Sequence, residues 1–418
     1  MEVMEISGGR TLTGSIRISG AKNSSVALIP AAILSDGEVT ICNVPEITDT
    51  DALTDILDFL GAKVHRASES IVVDSKSIEN KLIPEDISSK LRASYYFMGA
   101  LLGKYHHVEM YFPGGCSIGQ RPINLHLKGF EALGATVNED GNRYIIDAER
   151  LHGANIYLDF ASVGATINVM LAAVRADGIT MIENAAKEPE IVNVATFLNN
   201  MGARISGAGT SVIRIEGVDT LNGCFHEVIP DRIEAGTYTI MAALVGKQLK
   251  IDNIIPEHLE ALTSKLVEMG VKMEIGSDYF VITRPDSYKC VNLKTQVFPG
   301  FPTDLQQPFT VLLTQCKGTS HLEETIWENR FMHIPELEKM GAKINLIDNH
   351  NIEVTGPTKL IASTVKATDL RAGAAMVLAA LIAEGQTTIC DISHILRGYE
   401  GIIEKLSAVG AKIKIKEI

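Results

Sequence analysis

Two kinds of apolar pattern alternate along the chain, and the alternation recurs. The stretches SSVALIPAAIL (24–34), GATINVMLAAV (164–174) and AGAAMVLAALIA (372–383) are apolar on every face of a helix. That is the pattern of a helix enclosed on all sides. A glycine and a short alternating run follow each apolar helix, as in GEVTICN, GITMIEN, GKQLKIDN, GTSHLEE and GQTTICD, with GKYHHVEMYF the loosest version. Alternation with a period of two predicts a strand with one buried face. An amphipathic helix comes next and ends at a glycine that leads into another strand: FLGAKV, ALGATV, NMGARI, EMGVKM, KMGAKI and AVGAKI. These glycines, Gly61, Gly134, Gly202, Gly270, Gly341 and Gly410, are separated by 73, 68, 68, 71 and 69 residues. Glycine just past a helix end takes the left-handed conformation at little cost, so six helix C-caps are predicted.

A period of about seventy residues implies six copies of one unit: strand, apolar helix, strand, amphipathic helix, strands. Solenoid units are shorter, and the all-apolar helices need sheets outside them. A chain of 418 residues is too long for one core, so three units in each of two domains are expected. The net charge of −13 argues against a nucleic-acid or anionic-membrane partner. An anionic ligand would therefore need a local basic cluster. The start MEVMEISGGR lacks a basic segment followed by an apolar one, so no signal peptide is expected. The run 372–383 is shorter than the roughly 18 residues a membrane span needs, and a cytoplasmic protein is expected. The six cysteines show neither CxxC nor zinc spacing. Cys42, Cys224, Cys290 and Cys390 in or beside β-like runs, and Cys316 closing an apolar helix, read as small buried hydrophobes. Cys116 differs, because PGGCSIGQRP is a glycine-rich loop with an arginine five residues on.

The openings of the apolar helices carry a second signal: SGAKNSSVA, SSKLRASYY, ASVGATINV, DRIEAGTYT, PTDLQQPFT and ATDLRAGAA. They are rich in Ser, Asp and Thr, the N-cap residues. Lys22, Arg92 and Arg371 also stand there, although a cation opposes the helix dipole at that end. A bound anion resolves the conflict by satisfying both the free N–H groups and the cation.

These residues together resemble the UDP-N-acetylglucosamine enolpyruvyl transferases over essentially the whole chain. The carriers are SGAKN (19–23), LRAS (91–94), PGGCSIGQRPINLH (113–126), SVGAT (162–166), NAAKEPEIV (184–192), PDRIEAGT (230–237), FPTDLQ (301–306), ENRFMH (328–333), TDLRAGA (368–374) and RGYE (397–400). The resemblance implies an inside-out α/β barrel of two domains, each of three βαβαββ units around buried helices. Residues 22–229 would form one domain, carrying the Cys116 loop, and residues 1–21 with 230–418 the other. The active site is then expected in the cleft between them, closed by that loop.

The implied reaction moves the enolpyruvyl group of phosphoenolpyruvate to the 3-hydroxyl of UDP-N-acetylglucosamine and releases phosphate, the first committed step of bacterial peptidoglycan synthesis. Addition and elimination through a tetrahedral ketal need an acid, a base and fixed cations, with neither metal nor cofactor. By resemblance Cys116 is the reactive thiol and the target of fosfomycin, acting as general acid toward the methylene carbon or in product release. Its pKa should lie below that of a free thiol if Arg121 and Lys22 are near. Lys22, Asn23, Arg121, Arg371 and Arg397 match the phosphoenolpyruvate grip, the arginines suiting bidentate contact. Arg330 is a further member or an ion-pair partner of Glu328. Asp304 matches the acid placed at the sugar hydroxyl, although alone it reads as a helix cap, and Asp369 assists proton transfer or orients the cations nearby. Asn23, Arg92, Arg121, Pro122, Ile123, Asn124, Leu125, Ser162, Val163, Gly164, Asp304 and Ile326 match nucleotide-sugar contacts, with His126 in reach of the nucleotide and Glu188 a supporting carboxylate. Phe160 departs from the pattern, because some members carry a basic residue there. The rival readings are 5-enolpyruvylshikimate-3-phosphate synthase, which lacks the cysteine loop, and a non-catalytic nucleotide-sugar binder, which would have lost the acid, base or cations.

Overall fold

The structure, a computed structural model, describes residues 2–88, 91–112 and 123–417. It is mixed α/β and divides into two compact units, one holding the described residues up to 19 and from 230 on, the other those from 20 to 229.

One pairing scheme recurs through the sheets of both units. In the unit of residues 20–229, Phe225–Glu227 runs parallel to Glu38–Cys42, which pairs antiparallel with Ser70–Asp74, and that strand with Lys63–Ala67. Asn155–Tyr157, Ile179–Glu183, Val212–Glu216 and Arg204–Ser206 repeat the order. The third sheet, His107–Tyr111 with Arg143–Asp147 and Thr136–Asp140, keeps the parallel position as a single bridge from Ile83 to Met110. In the other unit the scheme is carried by Leu12–Arg17, Gly246–Asp252, Tyr279–Thr283 and Lys272–Ile275. It returns in Tyr288–Lys289, Cys316–Glu323, Asn351–Gly356 and Lys343–Leu346. The last sheet borrows the N-terminal strand: Glu2–Ser7 stands between Gln386–Cys390 and Lys412–Glu417.

The apolar helices lie in the cores. In Leu370–Ile382 every residue from Arg371 to Leu381 is buried, and Val163–Ala173 is buried from Ala165 on. Burial of each Leu, Ile or Val there contributes about 1.5–3 kcal/mol. Close packing needs small residues. A Cβ at Gly99 or Gly103 of Tyr96–Tyr105 would stand 2.4 Å from the Asn168 carbonyl oxygen or 2.7 Å from that of Leu171.

All six predicted C-cap glycines have φ between +91° and +108°, the region where a Cβ is penalised. A related signal went unread in the sequence. Asn43, Asn184 and Asn253, each just past a central strand, also have positive φ, which Asn tolerates better than most residues. Their amides donate to the carbonyls of Val228, Leu158 and Ile18 at 2.7–2.8 Å. The same tie thus fastens three parallel strand ends.

The cysteine reading needs correction. Only Cys316 of the five described cysteines is buried; Cys42, Cys224 and Cys390 are half-buried and Cys290 is exposed. The cause is strand parity. In Glu38–Cys42 the inward positions are Val39 and Ile41, so Cys42 points the other way, and Gln386–Cys390 does the same. Cys316 opens a strand; the apolar helix before it ends at Leu313.

Candidate active site

In the unit that includes residues 230–417, Thr303–Leu305 makes one tight turn ahead of the helix Gln306–Leu313. The turn has no side-chain cap, and Asp304 faces two guanidinium groups instead. Arg330 donates to Asp304 Oδ1 at 2.5 Å and Arg371 to Oδ2 at 3.1 Å. Arg330 is 1% exposed and Arg371 5%, so both charges are desolvated and held in place. Bonds of this charged kind are roughly twice as strong as neutral ones. Burial opposes the Arg371 charge, yet Tyr399, Asp304 and Asp231 around it hold its pKa above the ordinary arginine value. Its other arm donates to the Tyr399 hydroxyl at 3.1 Å, and that hydroxyl meets Thr237 Oγ1 at 3.0 Å. The partner of Arg330 is thus Asp304 and not Glu328.

Asp369 does cap a helix: its Oδ1 accepts the amides of Arg371 and Ala372 at 2.7 and 2.9 Å. Gln307 donates to its Oδ2 at 3.2 Å and to the Arg330 carbonyl at 3.0 Å, which ties the cap to the Asp304 turn. Arg397 is half-buried at the end of the short helix Ser393–Leu396. Ile326 lies in a loop whose amide donates to Glu324 Oε1 at 2.8 Å.

Glu324 itself was missed by sequence reasoning. Fully buried, it also accepts the hydroxyls of Thr295 and Thr303 at 2.9 and 2.8 Å. It anchors the residue before Asp304, yet EETI carries no sequence signal of that role.

In the unit of residues 20–229, Lys22 opens the helix Lys22–Ala31 and pairs with Asp49 at 2.6 Å. Asp49, buried in the first turn of Thr48–Leu60, offsets the cation that the dipole disfavours. Asn23 beside it is half-buried. Ser162 caps Val163–Ala173 through the Ala165 amide at 3.3 Å. Gly164 is hemmed in: a Cβ there would lie 2.9 Å from the Tyr95 hydroxyl and 3.1 Å from His126 Nε2. Arg92 starts the turn that carries Tyr95, and its charge acts on His126. Ile123 is the N-cap residue of Asn124–Ala132, buried, while Asn124 is exposed and Leu125 half-buried. Phe160 is 51% exposed two residues before Ser162, and Glu188 is buried ahead of Pro189–Asn200. Cys116, Arg121 and Pro122 lie outside the described residues.

Residues 6–406 match the family model described as EPSP synthase (3-phosphoshikimate 1-carboxyvinyltransferase). A protein of Geobacillus kaustophilus (strain HTA426) named UDP-N-acetylglucosamine 1-carboxyvinyltransferase 2 is 54% identical over 413 residues, 99% of this chain and 96% of that protein. Its namesake in Listeria monocytogenes is also 54% identical, over 98% of this chain and 96% of its own length. The chain belongs to the UDP-N-acetylglucosamine 1-carboxyvinyltransferase family. It is an enolpyruvyl transferase. Among solved structures, the enolpyruvyl transferase NikO from Streptomyces tendae superposes with a TM-score of 0.91 at 27% identity, covering 99% of both chains. EPSP synthase from Acinetobacter baumannii, at 16% identity and a TM-score of 0.78 over the full length of both, shares the fold. Among the described residues, no helix of this transferase is long and apolar enough to cross a membrane.

Proposed function

We propose that the chain transfers the enolpyruvyl group of phosphoenolpyruvate to the 3-hydroxyl of UDP-N-acetylglucosamine, with phosphate as the second product, in cytoplasmic peptidoglycan synthesis. The observation that carries the proposal is the setting of Asp304. This acid is released from helix capping and fixed by two buried guanidinium groups, so one aimed carboxylate can accept the proton of a sugar hydroxyl.

In the addition step the 3-oxygen bonds to C2 of the donor while C3 takes a proton, giving a tetrahedral phospholactoyl ketal. In the elimination step C3 gives up a proton and the C2–O bond to phosphate breaks. Asp304 serves the hydroxyl, with Asp369 behind it. Cys116 supplies the acid, and Lys22, Asn23, Arg121, Arg371 and Arg397 hold the phosphate and carboxylate of the donor. Arg92, Ile123 to Leu125, Ser162 to Gly164 and Ile326 serve the nucleotide sugar. The recurrent sheet scheme and enclosed helices support an inside-out barrel of six βαβαββ repeats, three per domain.

Phosphate release from phosphoenolpyruvate, with UDP-N-acetylglucosamine and shikimate 3-phosphate as alternative acceptors, tests the proposal. Release with the nucleotide sugar alone is expected. Release with shikimate 3-phosphate alone would transfer the assignment to the sister activity.

A further inference from the structure

The ring of His126 is 5% exposed and its hydrogen-bonding state can be read from its neighbours. The Gly99 backbone N–H donates to Asn168 Oδ1 at 2.9 Å. A backbone amide only donates, so the oxygen and nitrogen of the Asn168 side chain are assigned without ambiguity. Its nitrogen therefore donates twice, to the Tyr95 carbonyl at 3.0 Å and to His126 Nδ1 at 2.8 Å. Nδ1 accepts, which places the ring proton on Nε2. Burial first, and the Arg92 charge second, hold the His126 pKa down to about 3, so the ring is neutral near pH 7.

Nε2 faces the start of Val163–Ala173, where a Cβ on Gly164 would lie 3.1 Å from it. Ser162 Oγ takes the Ala165 amide, and the amides of Val163 and Gly164 have no partner among the described residues. Three N–H donors thus collect at one helix start with the Arg92 charge beside them, and among the described residues none of the three is bonded to an acceptor. A phosphate oxygen matches such a set.

We propose that Asn168 is a positioning residue for nucleotide binding: it locks His126 as an Nε2–H donor, which bonds a diphosphate oxygen of the nucleotide sugar together with the first-turn amides. The proposal rests on the functional reading above and deepens it. Gly99 is part of the device, because its close approach to Asn168 fixes the amide.

Two arms test it on the full-length protein. Long-range ¹H–¹⁵N correlation at pH 7.5, without substrate, reads the His126 tautomer, the resonance being identified by its loss in His126→Phe. Wild type should show a proton on Nε2, and Asn168→Asp, whose carboxylate only accepts, should move one onto Nδ1. Calorimetry forms the second arm. His126→Phe keeps the ring and removes its N–H, and should weaken UDP about tenfold, the worth of one hydrogen bond to a charged group, while uridine binds as before. The KM for phosphoenolpyruvate should not move, which separates the diphosphate from the donor's phosphate. Should Asn168→Asp not fold, His126→Phe and the wild-type spectrum still decide. A resting Nδ1 proton, or equal losses for UDP and uridine, or a loss confined to phosphoenolpyruvate, would overturn the proposal. Absence of turnover with UDP-N-acetylglucosamine would instead sink the functional reading, while the tautomer is read without any substrate.

Discussion

Glu324 offers the sharpest test of how the candidate base is supported. Its Oε1 accepts the Thr295 hydroxyl at 2.9 Å and the amides of Ile326 and Trp327 at 2.8 and 3.3 Å, while Oε2 accepts Thr303 at 2.8 Å. Glu324→Gln keeps an oxygen for the first three and turns an NH₂ toward Thr303, whose hydroxyl can rotate and accept. Charge assistance is lost, but a buried charge is removed as well, so the net cost should be about 1 kcal/mol. Glu324→Ala takes this acceptor from the buried Thr295 hydroxyl, at about 1–3 kcal/mol, and from the half-buried Thr303 hydroxyl and Ile326 and Trp327 amides at less each, for a cost of about 4 kcal/mol. For a unit of this size that is a fall in Tm of roughly 10 °C for Ala against about 3 °C for Gln. Thr303 precedes Asp304, so Ala should also lower kcat about a hundredfold, the effect of misplacing a reacting group by about 1 Å, and Gln less than about tenfold. Scanning calorimetry and phosphate release measure the pair. Equal Tm values for the two variants, or a destabilised Ala variant with unchanged kcat, would refute the reasoning.

Arg330→Lys should lower kcat at least about tenfold without raising the KM for phosphoenolpyruvate, because a flexible ammonium does not keep the fixed, planar donor that Arg330 aims at Asp304 Oδ1; a rise in that KM alone would make Arg330 a direct donor contact. Burial holds His126 at about 3 and His226 at about 4, below the ordinary 6.5, so the unfolded chain binds protons first and the 20–229 unit loses about 1.4 kcal/mol per histidine by pH 5.5. In the other unit burial lowers His333 to about 4 but raises Glu234 to about 7, and these trends oppose; hydrogen exchange at pH 7.5 and 5.5 should therefore show the 20–229 unit weakened more, and equal weakening would contradict it. Cys116→Asp should keep turnover and escape alkylation by fosfomycin, and mass spectrometry of the wild type should find the adduct on Cys116; an adduct on exposed Cys290 would remove Cys116 from its assigned role.

The architecture was legible where one residue type has one conformational reason. The six cap glycines could be read because left-handed backbone strongly favours glycine, and the enclosed helices because apolarity on every face has few other uses. Side-chain direction was harder. Cys42 and Cys390 sit in apolar runs, yet a one-residue step along a strand turns a side chain to the opposite face. The borrowing of Glu2–Ser7 by the last sheet was unreadable as a pairing, since the contact spans the whole chain. Glu324 and Asn168 escaped for another reason. Each acts through several hydrogen bonds to groups distant in sequence, and no local pattern encodes such a set.

Three aspartates stand at helix openings in the unit that includes residues 230–417, and they are used in two different ways. Asp231 and Asp369 each take two backbone amides of their helix, at 2.7 and 3.0 Å and at 2.7 and 2.9 Å. Such caps stabilise a helix by about 1 kcal/mol each. Among the described residues Asp304 takes no backbone amide of its helix, which opens with a tight turn at Pro302–Leu305. Its carboxylate is left to meet Arg330 and Arg371, the second of which begins the helix that Asp369 caps. Helix capping and the proposed base role thus fall to different aspartates: Asp369 fixes the helix start that carries Arg371, and Arg371 fixes Asp304. Asp369→Asn keeps an acceptor for the amides and should leave Asp304 in place, whereas Asp369→Ala frees the helix start and should reduce kcat through Arg371 even though residue 369 touches neither oxygen of Asp304. Equal kcat in the two variants would show that the cap has no part in holding the base.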